Sequence, residues 1–187
     1  MGVEEVNPDA KVLVAVTNSW FSPDDEQAAS DALIDKGCDV LAQHVDTTAP
    51  QTASEENGTW AIGYNSDMSK ETPDATLTSV IWNWSAYYTS YVNSIVNATY
   101  DGSNYYGGMD ESLVGLTGLS SLCEDGTQEK VNEMQQKILS GEFGVFDGEI
   151  LTNDGTVIGE EGKTLDDATI TGKINWYYHN VEVVDWK

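Results

Sequence analysis

Lys11-Val12-Leu13-Val14-Ala15-Val16-Thr17 is an unbroken apolar run. Seven residues are too few for a buried helix, and the β-branched content suits a strand covered on both faces. Asn18-Ser19-Trp20-Phe21-Ser22-Pro23 breaks the run. A helix is predicted from Asp24 to Lys36: its first turn is acidic, Ala28, Ala29, Ala32 and Leu33 share one face, and Gly37 stops it. Asp39-Val40-Leu41-Ala42-Gln43 reads as a second strand. A short helix follows from Ala49 to Asn57, with Thr48 as N-cap, Pro50 in the first turn and Gly58 beyond its end. Trp60-Ala61-Ile62-Gly63 is the third strand. Strand, helix, strand, helix, strand at this spacing predicts right-handed βαβ units and a parallel sheet flanked by helices, an α/β fold.

Beyond this core, Ala75 to Ile81 reads as a fourth strand. Tyr88, Tyr91, Val92, Ile95 and Val96 then recur at helical spacing between Ser85 and Ala98. Short extended pieces are expected around Tyr105-Tyr106-Gly107-Gly108 and Leu113-Val114-Gly115-Leu116. A helix is expected from Thr127 to Leu139, burying Val131, Met134 and Ile138 and ending at Gly141. The Asp154-Gly155 pair marks a hairpin, and Asn175 to Tyr178 and Val181 to Val184 close the chain as extended segments.

The chain has 187 residues, with 8 Lys and Arg against 32 Asp and Glu, a net charge of −24. A surface that negative repels phosphate backbones and anionic headgroups, which argues against nucleic-acid and peripheral-membrane partners. It also suits a salty setting. No apolar run is long enough for a membrane span, and the first residues, Met1-Gly2-Val3-Glu4-Glu5, have no leader-peptide character. Cys38 and Cys123, far apart, make neither a disulfide framework nor a zinc pattern and read as small buried hydrophobes.

Ligands of an open parallel sheet sit beyond the carboxyl ends of its strands. That rule selects three loops: Asn18 to Phe21, His44 to Thr48, and Tyr64 to Met68. Trp82-Asn83-Trp84 follows the fourth strand. These loops hold aromatic rings, carboxylates, amides and hydroxyls but no Lys or Arg. Such a set suits a flat, uncharged, nitrogen-rich ring, stacked on Trp or Phe and read by Asp and Asn; it does not suit phosphate. Each residue also has a plainer role. Trp20 either stacks on a ligand or packs on its own helix. Asp46 orients His44, caps the next helix or faces ligand. Asp67 faces ligand or only stabilises its turn, and Trp82 and Trp84, two apart on an extended segment, line a cleft or fill a core. No nucleophile elbow and no metal-ligand cluster is present, so neither catalysis nor a cofactor is indicated; a hydrolase acting on nucleosides through Asp46 and Asp67 is the enzymatic alternative.

The ordered blocks Val6 to Val12, Asn18 to Pro23, Ala42 to Ala49 and Ile62 to Met68 resemble the basic membrane protein family, the substrate-binding proteins of ABC transporters that include the purine nucleoside receptor A-like lipoproteins. Leu77 to Val80, Tyr105 to Gly108 and Ile138 to Phe143 continue the likeness. The resemblance implies a type I periplasmic-binding fold, two α/β lobes closing on a purine nucleoside or base. It implies that Trp20 stacks on the base and that Asp46, Thr47 and Asp67 lie at the cleft, with Phe21, His44, Asn65 and Trp82 as further ligand-binding candidates. Nucleoside-binding members tend to carry Asp at the position of Asn65 and Lys at that of Trp82, both used on ribose; their replacement favours a free base such as adenine. Family members are nearly twice this length. By that analogy residues 1–83 and 141–187 belong to lobe 2, residues 84–140 return to an incomplete lobe 1, and the missing N-terminal lobe is a required partner beside an ABC permease. The same analogy implies an extracytoplasmic lipoprotein whose lipid anchor lies outside this chain. A ligand-sensing domain of a signalling system is the alternative of the same fold.

Overall fold

The computed structural model describes residues 1–187. In chain order its elements are α1 (Gly2–Val6), β1 (Val12–Val14), α2 (Pro23–Asp35), β2 (Val40–Ala42), α3 (Ala49–Asn57), β3 (Trp60–Asn65), β4 (Thr76–Trp82), α4 (Trp84–Val96), β5 (Val114–Leu116), α5 (Thr127–Ser140), β6 (Asp147–Leu151), β7 (Val157–Thr164), α6 (Asp167–Gly172) and β8 (Val181–Val183). They divide into two compact units, one of Thr17–Val131 with Lys187, the other of Met1–Val16 and Asn132–Trp186.

The first unit holds a four-stranded sheet in the order β2-β3-β4-β5. β2, β3 and β4 run parallel, with Val40 opposite Trp60 and Asn65 opposite Ile81. β5 is antiparallel to β4, Trp82 lying opposite Val114. The helices that return the chain between parallel strands form for the reasons visible in the sequence. Pro23 opens α2 with Asp24, Asp25 and Glu26 in its first turn, where the helix dipole favours acids. Pro50 stands in the first turn of α3, and Gly58 ends it in the left-handed region at φ +67°, which costs a residue without Cβ little.

The core of this unit is built from small residues. Ala29, Leu41, Ala53, Ala61, Met68, Ala75 and Leu113 are its buried apolar side chains. The largest fully buried side chains of the whole chain are polar: Gln51, Glu26, Thr72, Thr76, Ser54 and Ser79. Each has a hydrogen-bond partner, as burial of a polar group requires. Thr72 and Thr76 join hydroxyl to hydroxyl at 2.7 Å, and Ser79 Oγ accepts the Met68 N–H at 3.2 Å.

The second unit joins the two ends of the chain. β1 pairs in parallel with β8, Val12 opposite Val181. β6 and β7 form the expected hairpin, whose turn is held by the Asp154 carboxylate accepting the Thr152 hydroxyl at 2.6 Å and the Thr156 N–H at 3.0 Å. Those bonds hold the Asp154 carboxyl below the ordinary carboxylate range.

Several expectations are corrected. The apolar run at Val12 is a strand, but it lies in the two-stranded sheet with β8 and not in the sheet of β2 to β5. Periodicity identifies a strand and says nothing of its partner. The buried face of α2 centres on Glu26, Ala29 and Ser30, with Ala28 exposed, because hydrogen bonds draw Glu26 inward. Neither α4 nor α5 has a fully buried residue. Tyr105 to Gly108 is irregular, and of Asn175 to Tyr178 only Tyr178 pairs, in a single bridge to Thr152. Cys38 and Cys123 are free and half-buried. The short helices α1 and α6 carry no periodicity long enough to announce them.

Candidate functional site

The carboxyl ends of β2, β3 and β4 lie at one rim of the parallel sheet, since Ala42 is opposite Ile62 and Asn65 is opposite Ile81. The loop after β2 meets the loop preceding α2 there. The Asp46 N–H donates to the Trp20 carbonyl at 2.8 Å. The Trp20 and His44 rings meet edge to face with centroids 5.3 Å apart, and His44 meets Tyr64 in the same way at 4.4 Å. Edge-to-face contact at these distances is the favourable arrangement of aromatic quadrupoles. Two loops and the end of β3 thus converge through Trp20, His44 and Tyr64. Trp20 and Phe21 remain 60% and 69% exposed, leaving apolar faces open to a ligand.

Beneath the rim lies a polar frame. Gln43, just past β2, donates from Nε2 to the Thr47 carbonyl at 2.9 Å and to Gln51 Oε1 at 2.9 Å, and its Oε1 accepts the Val45 N–H at 2.9 Å. Its Nε2 also lies 3.2 Å from the Met68 sulfur, which ties the second loop to the third. Gln51 is wholly buried, and its Nε2 reaches the Ile62 carbonyl at 3.3 Å. The half-buried Thr47 has its hydroxyl engaged: it donates to the buried Glu26 carboxylate of α2 and accepts the Ala49 N–H at 3.1 Å. Glu26 also accepts the Ser22 N–H at 2.8 Å.

Two amide residues of these loops hold backbone strain. Asn18 has φ +56° and Asn65 φ +69°. Across Asn65 the Ser66 N–H donates to the Tyr64 carbonyl at 2.8 Å, closing a γ-turn with its central residue in the left-handed region, a rare and strained geometry. Such outliers cluster at binding loops, and Asn tolerates them better than most residues.

The remaining candidates divide. Asp46 is exposed beside Trp20. Asp67 is exposed, but its Oδ1 is engaged by its own turn, accepting the Ser69 N–H at 3.0 Å and the Ser69 hydroxyl at 2.6 Å. These bonds hold its carboxyl below the usual range. Trp82 ends β4 one residue beyond the Asn65–Ile81 pair, and its ring stacks on Trp84 at 5.8 Å and 29°. The two tryptophans do not share an extended segment, because Asn83 caps α4 and Trp84 begins it. Sequence reasoning passed over Glu26, Gln43 and Gln51. Capping-box spacing from Ser22 points to Asp25, so Glu26, one residue further, left no such signal.

The rim of the parallel sheet thus presents aromatic faces, one exposed carboxylate and two asparagines with positive φ. An ABC transporter solute-binding protein from Conexibacter woesei superposes with a TM-score of 0.62 over 77% of this chain and 49% of that one, at 21% identity. The chain belongs to the Bmp family, described as ABC transporter substrate-binding proteins, PnrA-like, whose model matches residues 1–148. This is a family of binding proteins and not of enzymes, which sets aside the hydrolase alternative at Asp46 and Asp67. A purine-binding protein of Brucella abortus is 36% identical over 97% of this chain and 51% of its own length. A Haloferax volcanii protein, named as an ABC transporter glucose-binding protein, is 32% identical over 79% of this chain and 38% of its own. The chain thus spans about half, or less, of these curated relatives. No helix is long and apolar enough to cross a membrane.

Proposed function

We propose that the chain binds a purine, as a free base such as adenine in preference to its nucleoside, at the rim formed by the loops after β2 and β3 and before α2. The observation that carries this reading is the convergence of Trp20, His44 and Tyr64 around a Trp20–Asp46 backbone bond, in segments that hold no Lys or Arg. Trp20 and Phe21 supply stacking faces. Asp46 and the amides of Asn18 and Asn65 supply acceptors and donors for ring nitrogens. An amide at Asn65 and an indole at Trp82 place no charge at those two positions for ribose hydroxyls, and a polar partner that is absent is what separates related ligands. The Brucella relative, with a name that specifies purine binding, supports the same class.

The ligand passes to an ABC permease on the outer side of the membrane, and the cleft is completed by a second lobe. Support for that lobe comes from α4, where Trp84, Tyr88, Val92, Ile95 and Val96 are all at least half exposed, an apolar face of the kind that marks an interaction surface. In this reading residues 84–140 serve lobe 1, and residues 1–83 and 141–187 serve lobe 2. Ligand drives closure because it binds the closed state more tightly.

The Haloferax relative favours a sugar as the second reading, since open aromatic faces also suit pyranose rings. Calorimetric titration of the 187-residue chain with adenine, adenosine and glucose separates the two. The purine reading requires adenine to bind most tightly. Saturable binding of glucose with none of adenine overturns it, and tighter binding of adenosine removes the argument from Asn65 and Trp82.

A further inference from the structure

We propose that Glu26, on the far side of the loops from the open rim, is the positioning residue of the site: its carboxylate fixes the spacing between Trp20 and Asp46. The proposal rests on the reading of these loops as the ligand site. Glu26 is 2% exposed in a chain of net charge −24. Burying one more carboxylate in such a molecule is unfavourable unless its oxygens are fully used. Both are. One accepts the Ser22 N–H, two residues after Trp20, and the other accepts the hydroxyl of Thr47, the residue after Asp46. The Thr47 oxygen in turn accepts the Ala49 N–H at the start of α3. One carboxylate therefore clamps the end of the first loop, the middle of the second and two helix starts. Its partners are neutral donors, so their hydrogen-bond geometry, and not an ion pair, sets where the loops stand.

The consequence lies at the opposite end of the same loops. Trp20 and Asp46 are joined only by a backbone hydrogen bond and the edge contact of Trp20 with His44, both open to solvent on the ligand side. With the clamp in place the stacking face and the carboxylate stand ready before ligand arrives, and binding loses less freedom in ordering them. Without it, ligand must bring the loops together itself.

The test uses Glu26→Ala, Thr47→Val, Glu26→Gln and Ser30→Ala in the full chain. Ser30→Ala removes the 2.7 Å bond from the Ser30 hydroxyl to the Glu26 carbonyl and leaves the carboxylate untouched, so it reports loss of helix stability alone. The first readout is the nuclear Overhauser contact between the Trp20 and His44 rings, followed in a chain that has only two histidines; the second is adenine affinity by calorimetry. Glu26→Ala and Thr47→Val are expected to lose the ring contact and to weaken adenine roughly tenfold, about the worth of one hydrogen bond to a charged group. Ser30→Ala is expected to retain both, and Glu26→Gln, which keeps one of the two acceptor oxygens and no charge, to lose part of each. A folded Thr47→Val with the ring contact and affinity intact overturns the proposal, and that variant decides should Glu26→Ala fail to fold. If the unaltered chain binds no adenine, the purine reading falls while the ring contact still judges the clamp.

Discussion

The imidazole of His44 meets two aromatic rings nearly at right angles, Trp20 at 5.3 Å and Tyr64 at 4.4 Å, so a single side chain joins the loop that precedes α2 to the end of β3. Because His44 is itself exposed, this contact orders the surface of the site, whereas Gln43 and Glu26 order its underside. The following expectations probe each level separately.

Trp20→Ala removes a ring that is 60% exposed. Stability should change little, while adenine binding should weaken by about 1–3 kcal/mol, the usual worth of a base stacked on an aromatic ring. Calorimetry with the variant checks this, and an unchanged affinity would make Trp20 an ordinary surface residue.

Asn65 separates strain from recognition. At φ +69° an alanine is penalised by roughly 1–2 kcal/mol and a glycine is not. Asn65→Ala should therefore lower the urea midpoint and Asn65→Gly should not. Both should weaken purine binding, since both lack the amide. Equal urea midpoints for the two variants would mean that the γ-turn is not conserved in solution.

Gly63 is buried in β3, and a methyl there would run into the Ser79 hydroxyl that accepts the Met68 N–H. Gly63→Ala should cost about 1–3 kcal/mol, as overpacking does. Adding Ser79→Ala removes the nearest atom and leaves the Cβ atoms of Ser79 and Met68 at 3.0 and 3.2 Å, so the double variant should be more stable than the sum of the two single losses and still less stable than the unaltered chain. Additive losses in urea unfolding would refute this coupling.

The carboxyl of Asp67 is held below its ordinary value by the Ser69 hydroxyl and N–H. A carboxyl lowered on folding stabilises the native state above the pH where the unfolded chain titrates, about pH 4, and loses that contribution as pH falls through the folded value. Asp67→Asn imitates the protonated form. Its melting temperature should lie below that of the unaltered chain at pH 7, and the gap should close on acidification. A gap that widens in acid contradicts the assignment.

With 32 acidic residues against 8 basic ones, self-repulsion opposes the folded state. At about 0.1 M ionic strength charges are screened over roughly 10 Å, and over about 3 Å at 1 M. The melting temperature should rise with potassium chloride over that range. A flat response would mean that the charges are already spaced beyond mutual reach.

The sequence made the elements around the site legible because their signals are local. Pro50 and Gly58 bracket α3 at the bounds the structure has, and Pro23 opens α2. The rule about strand ends of parallel sheets accounts for the segments after β2 and β3, whereas Trp20, after a strand of the other sheet, meets His44 and Asp46 for a reason the rule does not supply. Long-range features were not legible. The partner of β1 depends on a segment about 170 residues away, and the bond of the Thr47 hydroxyl depends on Glu26 from another helix. Asp67 illustrates the competition between a ligand role and local chemistry: a serine two residues on is enough to engage its carboxylate.

The pairing of β1 with β8 imposes an order on biosynthesis. Residues 17–131 are contiguous, so their sheet is able to consolidate while the ribosome is still extending the chain. The strand at Val12, made before them, waits for Val181–Val183, made after them. Until then it presents an unzipped apolar edge, and the wait is a window in which a chaperone or another nascent strand competes for it.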